Sequence, residues 1–153
     1  GGLQLHRLGE DQLQDLIIEL WRERCERVDE ALSTAGGFVS DRSPLDYLAF
    51  WLHYGFARDR ERTERLADEV RVRGRLYDRV VVLPWGVLPL QADGVRSSNA
   101  WLQLHFQATV EGLLNREIGL PVVVELPPLE DLQARTSWVI DQVEQAGVRR
   151  LEV

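Results

Sequence analysis

Apolar residues recur every three or four positions along four segments of the chain, which is the pattern of amphipathic helices. The segments predicted to be helical are residues 10–35, 44–54, 99–117 and 129–146. Residues 58–75 carry seven arginines among five acids and few apolar anchors, Leu66, Val70 and Val72. This spacing favours a solvated helix with Glu61–Arg65 and Glu69–Arg73 ion pairs over an anion-binding segment.

Three short apolar runs rich in valine predict buried strands of a parallel sheet, at residues 38–40, 79–83 and 121–126. Strands and helices alternate, and the connections are long enough for right-handed crossovers. The sequence therefore predicts one α/β domain over residues 1–153, with a parallel sheet between two layers of helices.

A polar corner separates the first predicted strand from the second long helix. Ser43 is a good N-cap, Pro44 suits the first helical position, and Asp46 supplies the acid of a capping box. Asp41 and Arg42 then lie at the carboxyl end of a strand, where open α/β sheets bind ligands. A structural ion pair at the strand end is the alternative for these two residues.

A long segment rich in turn residues follows the second predicted strand. It contains Pro89 and an Asp93-Gly94 turn, and Ser97 or Ser98 can cap the next helix. A loop of this length at the end of a strand is typical of a functional lid. Trp85, at its start, can stack on a base or riboside ring or simply pack.

Composition narrows the classes of function. A net charge of −7 argues against general affinity for nucleic acid or anionic membranes, and prolines and glycines interrupt the longest apolar run. Cys25 is the one cysteine, so an intramolecular disulfide is excluded and a reducing cytoplasm is expected. All 18 basic residues are arginine, which excludes a lysine base or phosphate-loop lysine.

Histidines and tryptophans give weaker signals. His6, His53 and His105 show no zinc-ligand spacing with Cys25, and His53 is predicted to be a hydrogen-bonded core residue. Four tryptophans lie on the apolar stripes of helices and are predicted to pack in the core: Trp21, Trp51, Trp101 and Trp138.

Four runs, taken in order, carry a resemblance to a known family. They are Asp-Arg-Ser-Pro-Leu-Asp-Tyr-Leu at 41–48, Tyr-Asp-Arg-Val-Val-Val-Leu-Pro at 77–84, Asp-Gly-Val-Arg at 93–96 and Leu-Pro-Val-Val-Val-Glu-Leu at 120–126. Over roughly residues 10–146 the chain resembles the P-loop kinase-like domains of the AAA type related to bacterial nicotinamide riboside kinase domains. The resemblance implies ATP, Mg²⁺ and phosphoryl transfer to a nucleoside, nucleotide or similar small metabolite.

The resemblance also implies roles for individual residues. Asp41 would lie near magnesium or the acceptor hydroxyl, Arg42 would contact substrate phosphate, and Arg96 would reach the transferred phosphoryl group, although Arg96 is equally readable as a solvated loop residue. These roles suit phosphoryl transfer, which depends on positioning and on neutralising charge. The predicted substrate-binding residues are Asp46, Trp85 and Asp93.

One part of the family pattern is missing. The family opens with a strand and a Gly-x-x-x-x-Gly-Lys-Ser/Thr loop that holds the ATP phosphates, and Gly1-Gly2 is no such loop. We therefore expect the first strand and the phosphate loop to lie outside this sequence, without which the chain should be inactive. The alternative is a non-catalytic nucleotide-binding or protein-interaction module with the same fold, and a homodimer is compatible with either.

Overall fold

The computed structural model describes residues 8–87, 99–116 and 122–151, with side chains described as far as residue 147. The elements in chain order are α1 (Glu10–Ala35), α2 (Pro44–His53), a short 3-10 turn (Phe56–Arg58), α3 (Arg60–Gly74), β1 (Val80–Val82), α4 (Ala100–Leu114), β2 (Val123–Glu125) and α5 (Leu132–Leu151).

The fold is mainly helical, so the predicted three-layer α/β architecture is wrong. Helices hold 69% of the described residues and strands 5%. β1 and β2 form a parallel pair in which Val80 lies opposite Val123. The backbone N–H of Val80 donates to the Val122 carbonyl at 2.8 Å, and that of Leu126 donates to the Val82 carbonyl at 2.9 Å. Two strands of three residues cannot form the central layer of a sandwich.

The predicted strand at residues 38–40 is also wrong. Val39 is 78% exposed, and Phe38 packs edge-on against Tyr77 with ring centroids 4.9 Å apart. The Ser40 hydroxyl donates to the Arg42 carbonyl at 2.6 Å. Such local side-chain bonds offer the backbone an alternative to a sheet ladder, and they hold this segment as an irregular connection.

The core lies between α1, α2 and α3. It confirms the core positions predicted for Trp21 and Trp51, whose indole N–H groups donate to Glu69 Oε2 and Thr63 Oγ1, each at 2.8 Å. Partners of this kind allow a tryptophan to be buried without losing a hydrogen bond. The buried cluster consists of Leu13, Ile17, Trp21, Leu45, Tyr47, Leu48, Trp51, Phe56, Leu66 and Val70.

α1 runs over the predicted residues 10–35 without interruption. Gly36 follows it with φ 70°, the left-handed conformation that ends helices and that glycine adopts without a Cβ clash. The helix therefore stops where the chain must turn back toward α2.

α3 confirms the predicted solvated helix. Its buried residues are Leu66, Val70 and Gly74, and Arg65 pairs with Glu61 at 3.2 Å as predicted. The predicted Glu69–Arg73 pair is wrong, because Glu69 accepts from the Trp21 indole and Arg73 pairs with Asp29 of α1. α3 is thus bound to α1 by polar contacts as well as by its apolar side.

α5 lies outside this core, and α4 adds no buried residue to it, although Leu113 and Leu114 of α4 pack against it. α4 is capped by Asn99, whose side chain accepts from the Trp101 N–H at 3.0 Å, and not by Ser97 or Ser98 as predicted. Trp101 is 78% exposed, so its predicted core position is wrong. Trp138 is half-buried. Arg79 Nη1 connects β1 to α5 by donating to the Gln142 carbonyl at 3.0 Å.

Among the described residues, no helix has both the length and the apolar character needed to cross a membrane.

Candidate functional site

The corner after residue 40 is organised by Arg24, which reaches it from α1. The guanidinium donates to Asp41 Oδ1 at 2.7 Å, to Ser40 Oγ at 2.9 Å and to the Tyr47 hydroxyl at 3.3 Å. We call Arg24, Ser40, Asp41 and Tyr47 the Arg24 cluster. It fixes the start of the corner to α1 on one side and to α2 on the other.

Arg24 is not among the site residues that the sequence predicts. It lies three positions after Trp21 and four before Val28, both of which are buried, and so occupies a place on the apolar stripe of α1. A charged residue on such a stripe needs a polar partner when the helix packs. The position of Arg24 on the apolar stripe therefore indicates that it needs a polar partner, but it does not show that this partner is Asp41.

Asp41 presents its carboxylate to solvent while one oxygen is held. Its side chain is 79% exposed, and Oδ1 accepts the Arg24 hydrogen bond. Within the described part of the chain, Oδ2 has no hydrogen-bond donor. Carboxylate oxygens are the ligands that Mg²⁺ prefers, and a held carboxylate needs less ordering when it binds.

Arg42 points along α2. Its guanidinium carbon lies 5.4 Å from the centroid of the Phe50 ring, and Nη1 donates to Asp46 Oδ1 at 3.1 Å. A guanidinium carries five N–H donors, so this single hydrogen bond leaves most of its capacity for an anion. Arg42 is partly exposed and is held by an aromatic face on one side and a carboxylate on the other.

Asp46 has a structural part in the corner. Its Oδ2 accepts from the backbone N–H and from the hydroxyl of Ser43, each at 2.8 Å, which confirms the predicted capping box. Both carboxylate oxygens therefore have partners within the corner. A direct contact between Asp46 and a substrate stays a prediction.

Electrostatics and hydrogen bonding keep Arg24 in its charged state. The hydrogen bond to Tyr47 is the main cause of a raised pKa for Arg24, and it outweighs the opposing effect of burial. Burial also raises the pKa of the nearby Tyr77 phenol. Arg24 therefore stays charged and Tyr77 neutral at physiological pH.

The remaining predicted site residues are not brought to this corner by any described contact. Trp85 is half exposed and follows β1 directly, and Gln107 of α4 donates to the Leu83 carbonyl just before it at 3.3 Å. Asp93 and Arg96 belong to residues 88–98 of the predicted lid, which lie outside the described residues. Their assignments stay predictions.

No preformed metal cage is found in the part of the chain that the structure describes, because it contains no group of three or more His, Cys, Asp or Glu side chains placed to hold an ion. Mg²⁺ often binds through one or two protein carboxylates together with substrate phosphates and water. Asp41 alone is compatible with that second mode of binding.

A separate groove of about 820 Å³ runs between α1 and α3. Its floor includes Ile18 and Leu66, and charged side chains of both signs line its walls. None of the predicted site residues lines it. The mixture of charges does not select an anionic ligand, so the corner remains the better candidate site.

We expect Arg24→Met to lower the free energy of unfolding by about 2 kcal/mol, because three hydrogen bonds from a charged donor are lost at once. Arg27→Met is the matched control, since Arg27 lies one turn further along α1 and pairs only with the exposed Glu23. Its cost should stay below about 0.5 kcal/mol. Urea unfolding of both variants measures the difference, and equal losses would contradict the structural role of Arg24.

Comparison with known proteins gives no assignment: no family model, curated protein or solved structure matches this chain. Function is therefore inferred from the geometry of the corner and from the chemistry of its side chains.

Proposed function

We propose that the chain is part of an ATP-dependent phosphotransferase acting on a nucleoside, nucleotide or similar small metabolite. One observation carries the proposal: the corner holds two consecutive residues of opposite charge, Asp41, whose solvent-facing carboxylate is held by Arg24, and Arg42, whose guanidinium is partly exposed. A held carboxylate and an available guanidinium in one corner provide the two charges that phosphoryl transfer requires. The resemblance of the four sequence runs described above supports the same activity.

Each corner residue has a definite part in the proposed reaction. Asp41 orients Mg²⁺ or the acceptor hydroxyl through its outward oxygen, and Arg42 binds phosphate oxygens through its remaining donors. Arg24 and Asp46 position the site in this proposal, since they hold Asp41 and Arg42. Arg96 is proposed to reach the transferred phosphoryl group.

The proposed reaction also implies the cofactors, a stacking residue and a cellular location. ATP supplies the phosphoryl group and Mg²⁺ neutralises its charge. Trp85 is half exposed at the end of β1, and an indole there can stack on the base of the nucleotide or of the acceptor. A cytoplasmic location is proposed with the enzyme, because ATP is available there and the single cysteine needs no oxidising compartment.

The test is Asp41→Asn in the protein at its natural length. The assay measures turnover of ATP in the presence of Mg²⁺ with a panel of nucleosides and nucleotides. We expect this turnover to fall by two orders of magnitude or more, on the order of 3 kcal/mol, because the amide keeps the hydrogen bond to Arg24 but loses the charge. Product formation, measured by chromatography, gives the turnover. Melting temperature should stay close to that of the unmodified protein.

Asp68→Asn is the control for this test. Asp68 is also an exposed carboxylate paired with an arginine, Arg71 of the same helix, but it lies on α3 away from the corner. Turnover should be unchanged in this variant. Full activity in Asp41→Asn, or an equal loss in both variants, would rule out the proposed role of Asp41.

A protein-interaction module is the second candidate function. Large apolar side chains are exposed on the sheet, α4 and α5, where a partner or second copy could cover them. Failure of ATP to bind in calorimetry, together with a dimer in sedimentation, would favour this function over phosphoryl transfer. The exposed residues are Trp101, Leu102, Val123, Leu132, Ile140 and Val143.

A further inference from the structure

Two histidines meet where α4 packs on α2. His53 is the last residue of α2 and His105 lies in the first half of α4, and their ring centroids are 4.8 Å apart with the planes tilted by 38°. The Phe106 ring faces His53 edge-on at 5.9 Å and the Tyr54 ring at 5.3 Å. The two imidazoles thus contact each other within an aromatic surrounding.

His53 is suited to the neutral state. Its Nδ1 atom is buried and has no hydrogen-bond partner among the described residues, contrary to the hydrogen-bonded position predicted for it. In a protonated imidazole both ring nitrogens are donors. A charged N–H without an acceptor at Nδ1 would carry a desolvation cost that the neutral ring avoids.

His105 is the titratable group that faces His53 from the opposing helix. Burial is the main cause of a lowered pKa for His53, and the positive charge of His105 lowers that pKa further. The other titratable group facing the ring is Tyr54, which is neutral in this range because burial raises its pKa. No acid or arginine in the described part of the chain offsets the charge of His53.

The sign of the pH effect follows from the lowered pKa. The folded state binds fewer protons than the unfolded state once the pH falls below the ordinary value of 6.5. Stability from the neutral His53 is therefore fully present above that pH and is lost as the pH falls from 6.5 toward the folded-state pKa.

The same interface supports the candidate site. Phe106 of α4 packs on Phe50 of α2 with ring centroids 4.6 Å apart, and Phe50 carries the guanidinium of Arg42. A movement of α4 away from α2 would remove the support from one side of Phe50. Acidification would then affect the corner through the side chains of Phe106, Phe50 and Arg42, which contact one another in that order.

We propose that the His53–His105 contact is pH-sensitive, holding α4 on α2 near neutral pH and releasing α4 when His53 becomes charged beside His105. This inference is independent of the proposed phosphotransferase activity, since it concerns packing alone. It makes α4, which has no buried side chain of its own, the first element to separate on acidification.

Hydrogen exchange tests the proposal. Protection of the α4 amides is measured relative to the α1 amides of the same sample at about pH 7.5 and about pH 5, the range over which histidines titrate. The ratio removes the intrinsic effect of pH on exchange. We expect α4 protection to fall at least about fourfold relative to α1, the factor that two unit charges at this separation give in water.

Variants assign the response to the two rings. His105→Gln removes the like charge from an exposed position and should reduce the acid response without disturbing the fold, and His53→Gln should abolish most of it. His6→Gln, which changes the remaining histidine of the sequence, should keep the full response. Unchanged α4 protection at about pH 5, or a full response in the His53→Gln and His105→Gln double variant, would overturn the proposal.

Discussion

Replacing Trp51 by alanine should lower the free energy of unfolding by about 3 to 5 kcal/mol, the usual cost of truncating a buried aromatic side chain. Trp51 is fully buried and packs edge-on against Phe56 with ring centroids 5.2 Å apart. Its indole N–H also donates to Thr63, whose hydroxyl would lose that partner. The variant therefore leaves a cavity between α2 and α3, while the Thr63 hydroxyl keeps its hydrogen bond to the Asp59 carbonyl at 2.6 Å.

Trp101→Ala provides the control with the same chemical change. Trp101 is 78% exposed on α4, so its truncation should change the free energy of unfolding by no more than about 0.5 kcal/mol. Guanidinium unfolding followed by circular dichroism gives both values. A similar loss in the two variants would contradict a core confined to α1, α2 and α3.

Val70→Asp should cost about 4 kcal/mol or more, because it places a carboxylate without a counter-charge inside the core. Val70 is fully buried on α3 beside Leu66, and aspartate is too short to carry its charge out to solvent from that position. We expect the variant to be largely unfolded at room temperature. Circular dichroism and the elution volume in gel filtration would show this.

Val72→Asp tests the same substitution two positions away. Val72 is 61% exposed, and valine and aspartate have similar helix propensities, so the cost should be a few tenths of a kcal/mol. The sequence pattern treats both valines as apolar anchors, whereas the structure buries only one of them. Equal destabilisation by the two substitutions would show that α3 is rotated from its position here.

The sequence predicts the helices well because their signals are local. The apolar spacing of residues 10–35 and the Gly36 stop define α1, and the Ser43, Pro44 and Asp46 signals define the start of α2. The strands are different, since a short apolar run becomes a strand only if a neighbouring chain pairs with it. Residues 38–40 have the composition of a strand, but no strand among the described residues pairs with them, and the α/β prediction fails with them.

The candidate site shows the same division between local and distant contacts. The predicted corner residues Asp41, Arg42 and Asp46 lie within six consecutive residues. The capping rules for the start of a helix predict the corner that they share. Arg24 is 17 positions from Asp41, and only the packing of α1 against α2 brings the two together. The pairing of Arg42 with the Phe50 face likewise depends on side-chain directions that the sequence pattern leaves open.

The continuity of α1 limits which length changes the chain can accept. Trp21 and Arg24 lie on one uninterrupted helix, so a residue inserted between them would turn the following part of the helix by about 100°. Arg24 would then leave Asp41 while Trp21 stayed in the core. An insertion at Gly36 or Gly37 would lengthen only the connection. Variation in chain length is therefore tolerable after the helix and damaging within it.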